Sequence, residues 1–492
     1  MDKSARNGSF IIVFLLFVQS MVWSGLLLDN TLISRSLALS VSCAAVGLWM
    51  LFGSKPYDAF LRTLISPISL FFSVWLIAAL ISGGQAINQQ EYRAECVRVF
   101  LLFFSFLVFG TVVQRGFREE IILMGAVFLT LLLLVVGTGQ MLVNNVAFSS
   151  AGMASVTGLM SNRNLFSEYL AILFPMVVYG AFSLANKWRM AAKLAALGAT
   201  LMIILLLTRS AWVAMSIGCV VALGLTYGLH PKTAFKQRYF SWKRVALISI
   251  FVAVLILTTD FLADHIIWNR LSSIFLIDQG SAGWRIQIWG ATLEMAAHNV
   301  LTGIGAGNWK IQFQSLGIIY SLDTFMAEPL NDFLGVFVET GVFGLIGYLG
   351  IILTGLVQLF RSVKNRGSND VGFQITMLVS LVIFAVISFF NFPKDRVEHS
   401  LVLVFILAVS NQNAVQLFAV RSQSVARLAL VILIGVAGWT GYFNLQRYQA
   451  EKHVLLALNA RSRQNWKEVI RQVAQVNQKY YSLDPSTTPV AW

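Results

Sequence analysis

Three arginines are the residues of this chain best suited to chemistry. Arg163 lies in Ser161-Asn162-Arg163-Asn164, just before an apolar run. Arg209 lies in the short turn Thr208-Arg209-Ser210. Arg285 lies in Trp284-Arg285-Ile286-Gln287-Ile288-Trp289, inside a polar stretch from about Asp264 to Asp332. A guanidinium carries a planar fork of donors that matches phosphate oxygens, often two at a time. At a membrane edge, where the dielectric is low, such contacts strengthen. Acting together, the three could hold a diphosphate. Acting singly, each could instead snorkel to lipid headgroups.

The same stretch contains Gly303-Ile304-Gly305-Ala306-Gly307-Asn308-Trp309. Alternating glycines look like a piece of a dinucleotide fingerprint, but no strand precedes them and no α/β repeat surrounds them. A turn beside a substrate, or close packing, fits better. Trp284 to Asn299 has helical periodicity, with Ile288, Trp289, Leu293 and Ala296 on one side. That suits either a helix lying in the membrane interface or a buried core helix. No Asp-x-Asp motif occurs, and the five histidines lack ligand spacing, so no metal site is expected. His265, His298 and His399 fall in loops and read as structural. Glu119 and Glu120 form an acidic pair beside Arg118. Cys43, Cys96 and Cys219 have no pairing-type spacing. Hydrolase and P-loop motifs are absent.

The elements that must position these residues are membrane helices. The chain has 492 residues, of which 57% are hydrophobic and 12% charged. Soluble proteins carry about 25% charged residues, so this composition excludes an ordinary soluble enzyme. The net charge of +14 could suggest nucleic acid, but Lys and Arg fall in short loops between apolar runs, as orientation signals do. The expected fold is all-α, a polytopic transmembrane bundle of about 12–13 spans. The first run, Phe10–Leu28, reads as a span and not a cleaved signal. The third is Leu64–Ser82, the ninth Val245–Leu262, the twelfth Ser400–Val415 and the last Arg427–Tyr442. Residues 1–443 form the membrane domain, with a long loop at 264–332. Basic residues put the N-terminus in the cytoplasm, and the long loop and the tail outside, in the periplasm of a Gram-negative cell.

The tail, 444–492, has a soluble composition. Ala450, Leu455, Ala457, Trp466, Val469, Ile470 and Val473 repeat at helical spacing, and Leu483-Asp484-Pro485 ends the pattern. This resembles one tetratricopeptide unit, which stacked repeats beyond Trp492 would normally complete. A docked amphipathic tail fits the pattern equally.

Taken together, these pieces resemble the O-antigen ligase and O-antigen polymerase superfamily, bacterial polytopic glycosyltransferases that use undecaprenyl-diphosphate-linked glycans. The likeness is clearest from about Gly158 to Arg396. Gly158-Leu159-Met160-Ser161-Asn162-Arg163-Asn164-Leu165-Phe166 looks like the family's Asn-rich entry to a span. Thr208-Arg209-Ser210-Ala211 looks like its Ser-Arg-Gly element, Trp284 to Trp289 its Arg-x-x-x-Trp element, and Gly303 to Trp309 its glycine turn. Asn331-Asp332-Phe333-Leu334, then Glu339-Thr340-Gly341 and Gly344, look like the start of the span after the loop.

The resemblance implies transfer of a glycan from undecaprenyl diphosphate to a hydroxyl acceptor, with neither metal nor cofactor. The acceptor would be lipid A-core, a growing polysaccharide or a protein, reached from the cytoplasmic (inner) membrane on its periplasmic side. Partners would be donor, acceptor and membrane lipid, and not nucleic acid. Arg209 and Arg285 would stabilise the leaving diphosphate, with Arg163 third. Asn164, Trp289, Gly305, Asn308, Asn331 and Asp332 would line the substrate. In one place the chain departs from the family. The His that usually precedes the Asn-Asp pair, its proposed base, is Leu330 here. Glu328 and Asp332 are the nearest carboxylates. Glu328 is the candidate base, while Asp332 reads better as a helix cap. The rivals are a flippase or transporter of a lipid-linked sugar, which would show internal symmetry, and a non-catalytic member that binds the lipid carrier.

Overall fold

The computed structural model describes residues 2–54, 56–144, 152–229, 254, 257–258, 260–261, 265–272, 280–317, 326–365, 371–413, 422–484 and 487–490. Among these are 17 α-helices and no strand. The first half comprises α1 Asp2–Val13, α2 Leu32–Trp49, α3 Tyr57–Leu64, α4 Pro67–Ile81, α5 Gln89–Gln114 and α6 Glu119–Val143. Next come α7 Arg163–Ser183, α8 Asn186–Leu205 and α9 Arg209–Gly224. The long loop holds α10 Ile266–Ser272, α11 Gly280–Ala297 and α12 Trp309–Ser315. The remainder is α13 Asp332–Asn365, α14 Val371–Phe390, α15 Val397–Ser410, α16 Gln423–Ser462 and α17 Trp466–Val473.

Ten of these helices are long and apolar enough to cross a membrane, and they coincide with ten of the expected runs. The chain is a multi-pass membrane protein. α5 forms its axis, with 94% of its apolar window buried. The first run is shorter than expected: the helical stretch ends at Met21, not at Leu28. The reason is Arg35 on α2, which is fully buried. Its guanidinium donates to Ser20 O (2.7 Å), Val22 O (3.0 Å) and Leu159 O (2.6 Å), and pairs with Glu398 at 2.7 Å. It thereby takes up carbonyls that a continued helix would have bonded. The third run is split, because Ser66 caps a new helix with Pro67 at its first position. The twelfth run begins three residues early, at Val397, and is a wholly buried 14-residue helix. At about 1.5 Å per residue it is too short to span a bilayer alone. The ninth run lies largely outside the described residues.

Contacts gather one set of loops on one face. Asp29 meets Arg396 (2.7 Å), Asn88 meets Asn308 and Ser482, and the Asp29 N–H donates to Glu451 (2.9 Å). The N-terminus lies at the other end, where the Arg118 N–H donates to Ser9 Oγ at 2.7 Å.

The tail is continuous with the membrane domain, because α16 has 40 residues, or roughly 60 Å of helix. Asn465 caps α17, which folds back beside α16 as a helix–turn–helix. Ala450, Val454, Val476, Tyr481 and Val490 pack on Leu27 and Ile33. Trp466 and Ile470, expected on the same apolar face, are instead exposed by 59% and 71%.

Candidate active site

The site is organised by the turn that follows α14. Pro393 cannot continue a helix, and residues Pro393–Asp395 form a single 3-10 turn instead. Just before it, Asn391 donates to both oxygens of Glu168, at 2.8 Å each. Glu168, on α7, is fully buried and also accepts from Ser210 Oγ at 2.5 Å. Ser210 adjoins Arg209, the first residue of α9. The charge of Arg285 reaches Glu168. Thr208 Oγ1 donates to Asn164 Oδ1 at 3.3 Å, tying the start of α7 to the start of α9. Ser210, Asn391 and Arg285 thus act on one carboxyl group, and Arg209 and Asn164 stand at the paired starts of α9 and α7 beside it in the chain. Two helix N-termini open at the same place, and their dipoles favour a negative charge there. Arg163 is the first residue of α7.

On its other side the turn carries a buried ionic cluster. Asp395 pairs with Arg98 at 2.6 Å and with Lys394, and Arg98 also pairs with Glu95. The Lys394 N–H donates to Asp332 Oδ2 (3.1 Å), which also accepts from Tyr348 OH (3.1 Å). Asp332 was expected to cap α13. That role falls to Asn331, whose Oδ1 accepts the Leu334 N–H at 3.1 Å, while the Asp332 carboxyl turns into the bundle. Burial, and then the charge of Asp395, push the pKa of Glu328 well above the usual carboxylate range. Burial opposes ionisation of Asp395 too, but Arg98 and Lys394 outweigh it and lower its pKa. Burial likewise works against the Lys394 ammonium, and Asp395, Glu328 and Asp332 more than offset it. The Glu328 carboxyl thus holds its proton more tightly than an ordinary carboxylate, beside Asp395.

α11 joins the two sides. Trp289 stands one turn beyond Arg285. Its Nε1 donates to Pro329 O at 3.0 Å, next to Glu328, and its ring meets Phe389 edge-on at 5.5 Å. The buried face of α11 is Ile288, Thr292, Met295 and Ala296. Leu293, expected on that face, is 48% exposed. The stripe is rotated because the Trp309 indole N–H donates to Thr292 Oγ1 (3.1 Å). Leu330 has φ 55° and packs among Ile288, Met295 and Trp309.

The glycine turn is a clamp. α13 is broken at Gly341 (φ 71°, ψ −173°). The freed groups are taken up by the loop: Ile304 N–H donates to Val338 O, Gly305 N–H to Glu339 O, and Val342 N–H to Val300 O, at 2.8–3.1 Å. Broken helices at membrane depth require such replacement partners. At Gly303 a Cβ would lie 2.3 Å from the Glu339 backbone, and at Gly305 2.6 Å from Ala86. Asn308 is fully buried, its Oδ1 accepting the Asn88 N–H (2.7 Å) and its Nδ2 donating to Ala306 O (2.9 Å).

Residues 194–349 match the family described as O-Antigen ligase. This match supports the O-antigen ligase/polymerase superfamily. No curated protein matches the chain. The match supports a membrane glycosyltransferase of O-antigen ligase or polymerase type, with lipid-linked glycan as a general partner. The matched O-antigen ligase segment contains Arg209, Arg285, Glu328 and Leu330. The groups that organise them, Glu168, Asn391, Lys394 and Asp395, lie outside it. Sequence reasoning missed all four, together with Glu95 and Arg98. A signal was present in Asn391-Phe392-Pro393-Lys394-Asp395-Arg396, a polar, proline-bearing break between two apolar runs. His399, expected in a loop, lies in the first turn of α15, fully buried, with Nε2 3.1 Å from Leu165 O.

Proposed function

We propose that this chain transfers a glycan from undecaprenyl diphosphate to a hydroxyl acceptor at the outer face of a bacterial inner membrane. The observation that carries the reading is the buried Glu168, which feels the charge of Arg285 and is bonded by Ser210, the neighbour of Arg209 at the start of α9. The acceptor oxygen attacks the anomeric carbon, and the bond from that carbon to the diphosphate oxygen breaks. Negative charge grows on the diphosphate, where the two guanidiniums stabilise it. The hydroxyl proton passes to the Glu328–Asp395 pair in the fraction of molecules where Glu328 is ionised. Arg163 and Asn164 extend the donor site, and Trp289 packs against the substrate beside Pro329. Gly305, Asn308 and Asn331 hold the walls, and Asp332 fixes Lys394. The isoprenoid tail lies between helices. The acceptor is lipid A-core, a growing polysaccharide or a protein, and the 444–492 tail stands on the same outer face.

The test is release of undecaprenyl diphosphate from a labelled lipid-linked glycan by the purified protein in proteoliposomes, with each acceptor class supplied in turn. Acceptor-dependent release is expected. Binding of the donor with no release under any acceptor would favour a second reading, a carrier-binding member without activity, which Leu330 supports.

Restoring the family's histidine is expected to help little. The Leu330 side chain packs against the apolar cluster of α11 and α12. Leu330→His should leave transfer within a few fold and lower stability by about 1–3 kcal/mol through an unsatisfied polar group. Transfer rates and thermal unfolding in detergent would check both, and a gain of a hundredfold would disprove this placement of the base.

A further inference from the structure

A cavity of about 700 Å3 opens on the same face, between the α1–α2 loop, residues Thr157–Ser161 and the tail. That volume lies in the range of about 300–1,000 Å3 usual for small-molecule clefts. Its polar wall is Asp29, Asn30, Thr157, Ser161 and Asp484, and its rim carries Trp23, 55% exposed. Among the described residues that line it there is no Lys or Arg. A phosphate would meet the Asp484 carboxyl group and an Asp29 already paired with Arg396, with no lining cation to receive it. A hydrocarbon chain would desolvate the polar groups of that wall at a cost. A sugar satisfies both kinds of wall: its hydroxyls donate to carboxylate and amide oxygens, and its C–H faces pack on an indole. The Trp23 ring lies over Gly25, where a Cβ would stand 3.0 Å from it. The floor is held by Gln140, which accepts the Thr157 and Gly158 N–H groups at 2.9 and 2.8 Å.

The cavity adjoins the active site at two points. Asp29 bonds Arg396, the residue after Asp395. Ser161 stands two residues before Arg163. We propose that this cavity is a subsite for neutral sugar residues of a glycan that takes part in the transfer, an assignment that rests on the glycosyltransferase reading above. The sugars belong either to the acceptor or to the donor.

The test begins with equilibrium binding of oligosaccharides released by mild acid from the envelope of the expressing bacterium, measured by saturation-transfer NMR on the full-length protein in detergent. Wild type should bind them. Trp23→Ala should weaken binding at least tenfold, Trp23→Phe less, and Asp484→Asn several fold, all with unchanged unfolding temperature. Absence of binding to wild type, or equal binding by Trp23→Ala, overturns the assignment and leaves Trp23 as an interfacial anchor. In transfer assays, a raised KM for the acceptor alone assigns the subsite to acceptor sugars, and a raised KM for the donor alone to donor sugars. Unchanged kcat and KM for both substrates overturns a role in transfer. Sugar binding that depends on Trp23 in a protein without any transfer would sink the glycosyltransferase reading while leaving the subsite standing.

Discussion

Arg285→Ala and Arg209→Ala are each expected to slow transfer roughly a hundred- to a thousandfold, a loss of about 2.7–4 kcal/mol of transition-state stabilisation. In the proposed reaction the leaving diphosphate gains charge as the glycosidic bond breaks, and the two guanidiniums would stabilise that charge. Lysine at either position should restore only part of the rate, because it keeps the charge and loses the planar fork. Arg285→Lys also separates catalysis from folding, since Glu168 then still feels a cation. The measurement is the initial rate of undecaprenyl diphosphate release, normalised to protein that elutes as a single species. Near-normal rates in both alanine variants would rule out the diphosphate assignment. The double variant should lose less than the product of the two single losses if the arginines act on one group.

Glu328→Gln should reduce transfer by roughly a hundred- to ten-thousandfold, the contribution of a positioned base. Because burial and Asp395 raise its pKa, wild-type transfer should climb with pH above the ordinary carboxylate range, and the variant should lose that climb. Stability should move the other way. A carboxyl group whose folded pKa is raised binds its proton more tightly in the native state. Its contribution is complete below the unfolded value of about 4.3 and is lost as pH rises through the raised one. Glutamine cannot ionise, so Glu328→Gln should unfold at a temperature that falls less than wild type over that window. A variant with wild-type activity and a wild-type pH profile would place the base elsewhere.

The bundle was legible in the sequence because apolar runs of membrane length have no other stable fate. α2, α4 to α9, α13, α14 and α16 all follow from that rule. The first and twelfth runs did not: Arg35 takes up the Ser20, Val22 and Leu159 carbonyls beyond the first, and the 393–395 turn starts the twelfth helix at Val397. The two arginines of the site could be named from local motifs. The groups around them could not: Glu168, Arg98 and Lys394 look in sequence like charges at span ends, which ordinarily reach toward headgroups. What makes them a site is partners 223 residues away in the case of Glu168 and Asn391. The glycine spacing was equally visible, but Ala86 and Glu339, the surfaces that require it, were not. On α11 the apolar face was read with Leu293 included, because periodicity alone cannot show that Thr292 is the inward residue bonding Trp309.

The pairs Arg35–Glu398, Arg98–Asp395 and Asp29–Arg396 all end in one short segment near the C-terminal end of the bundle. During synthesis their first members are inserted long before their partners exist. Asp29 and Arg396 are 367 residues apart, so at about 5–20 residues per second the ribosome needs roughly 20–70 s to supply the second from the first. For that interval each charge has a local native partner: Arg35 has the Ser20 and Val22 carbonyls, Arg98 has Glu95, and Asp29 has the Thr31 and Leu32 N–H groups. The early helices therefore carry these charges part-satisfied, and the 393–395 turn with the start of α15 completes the three ion pairs last.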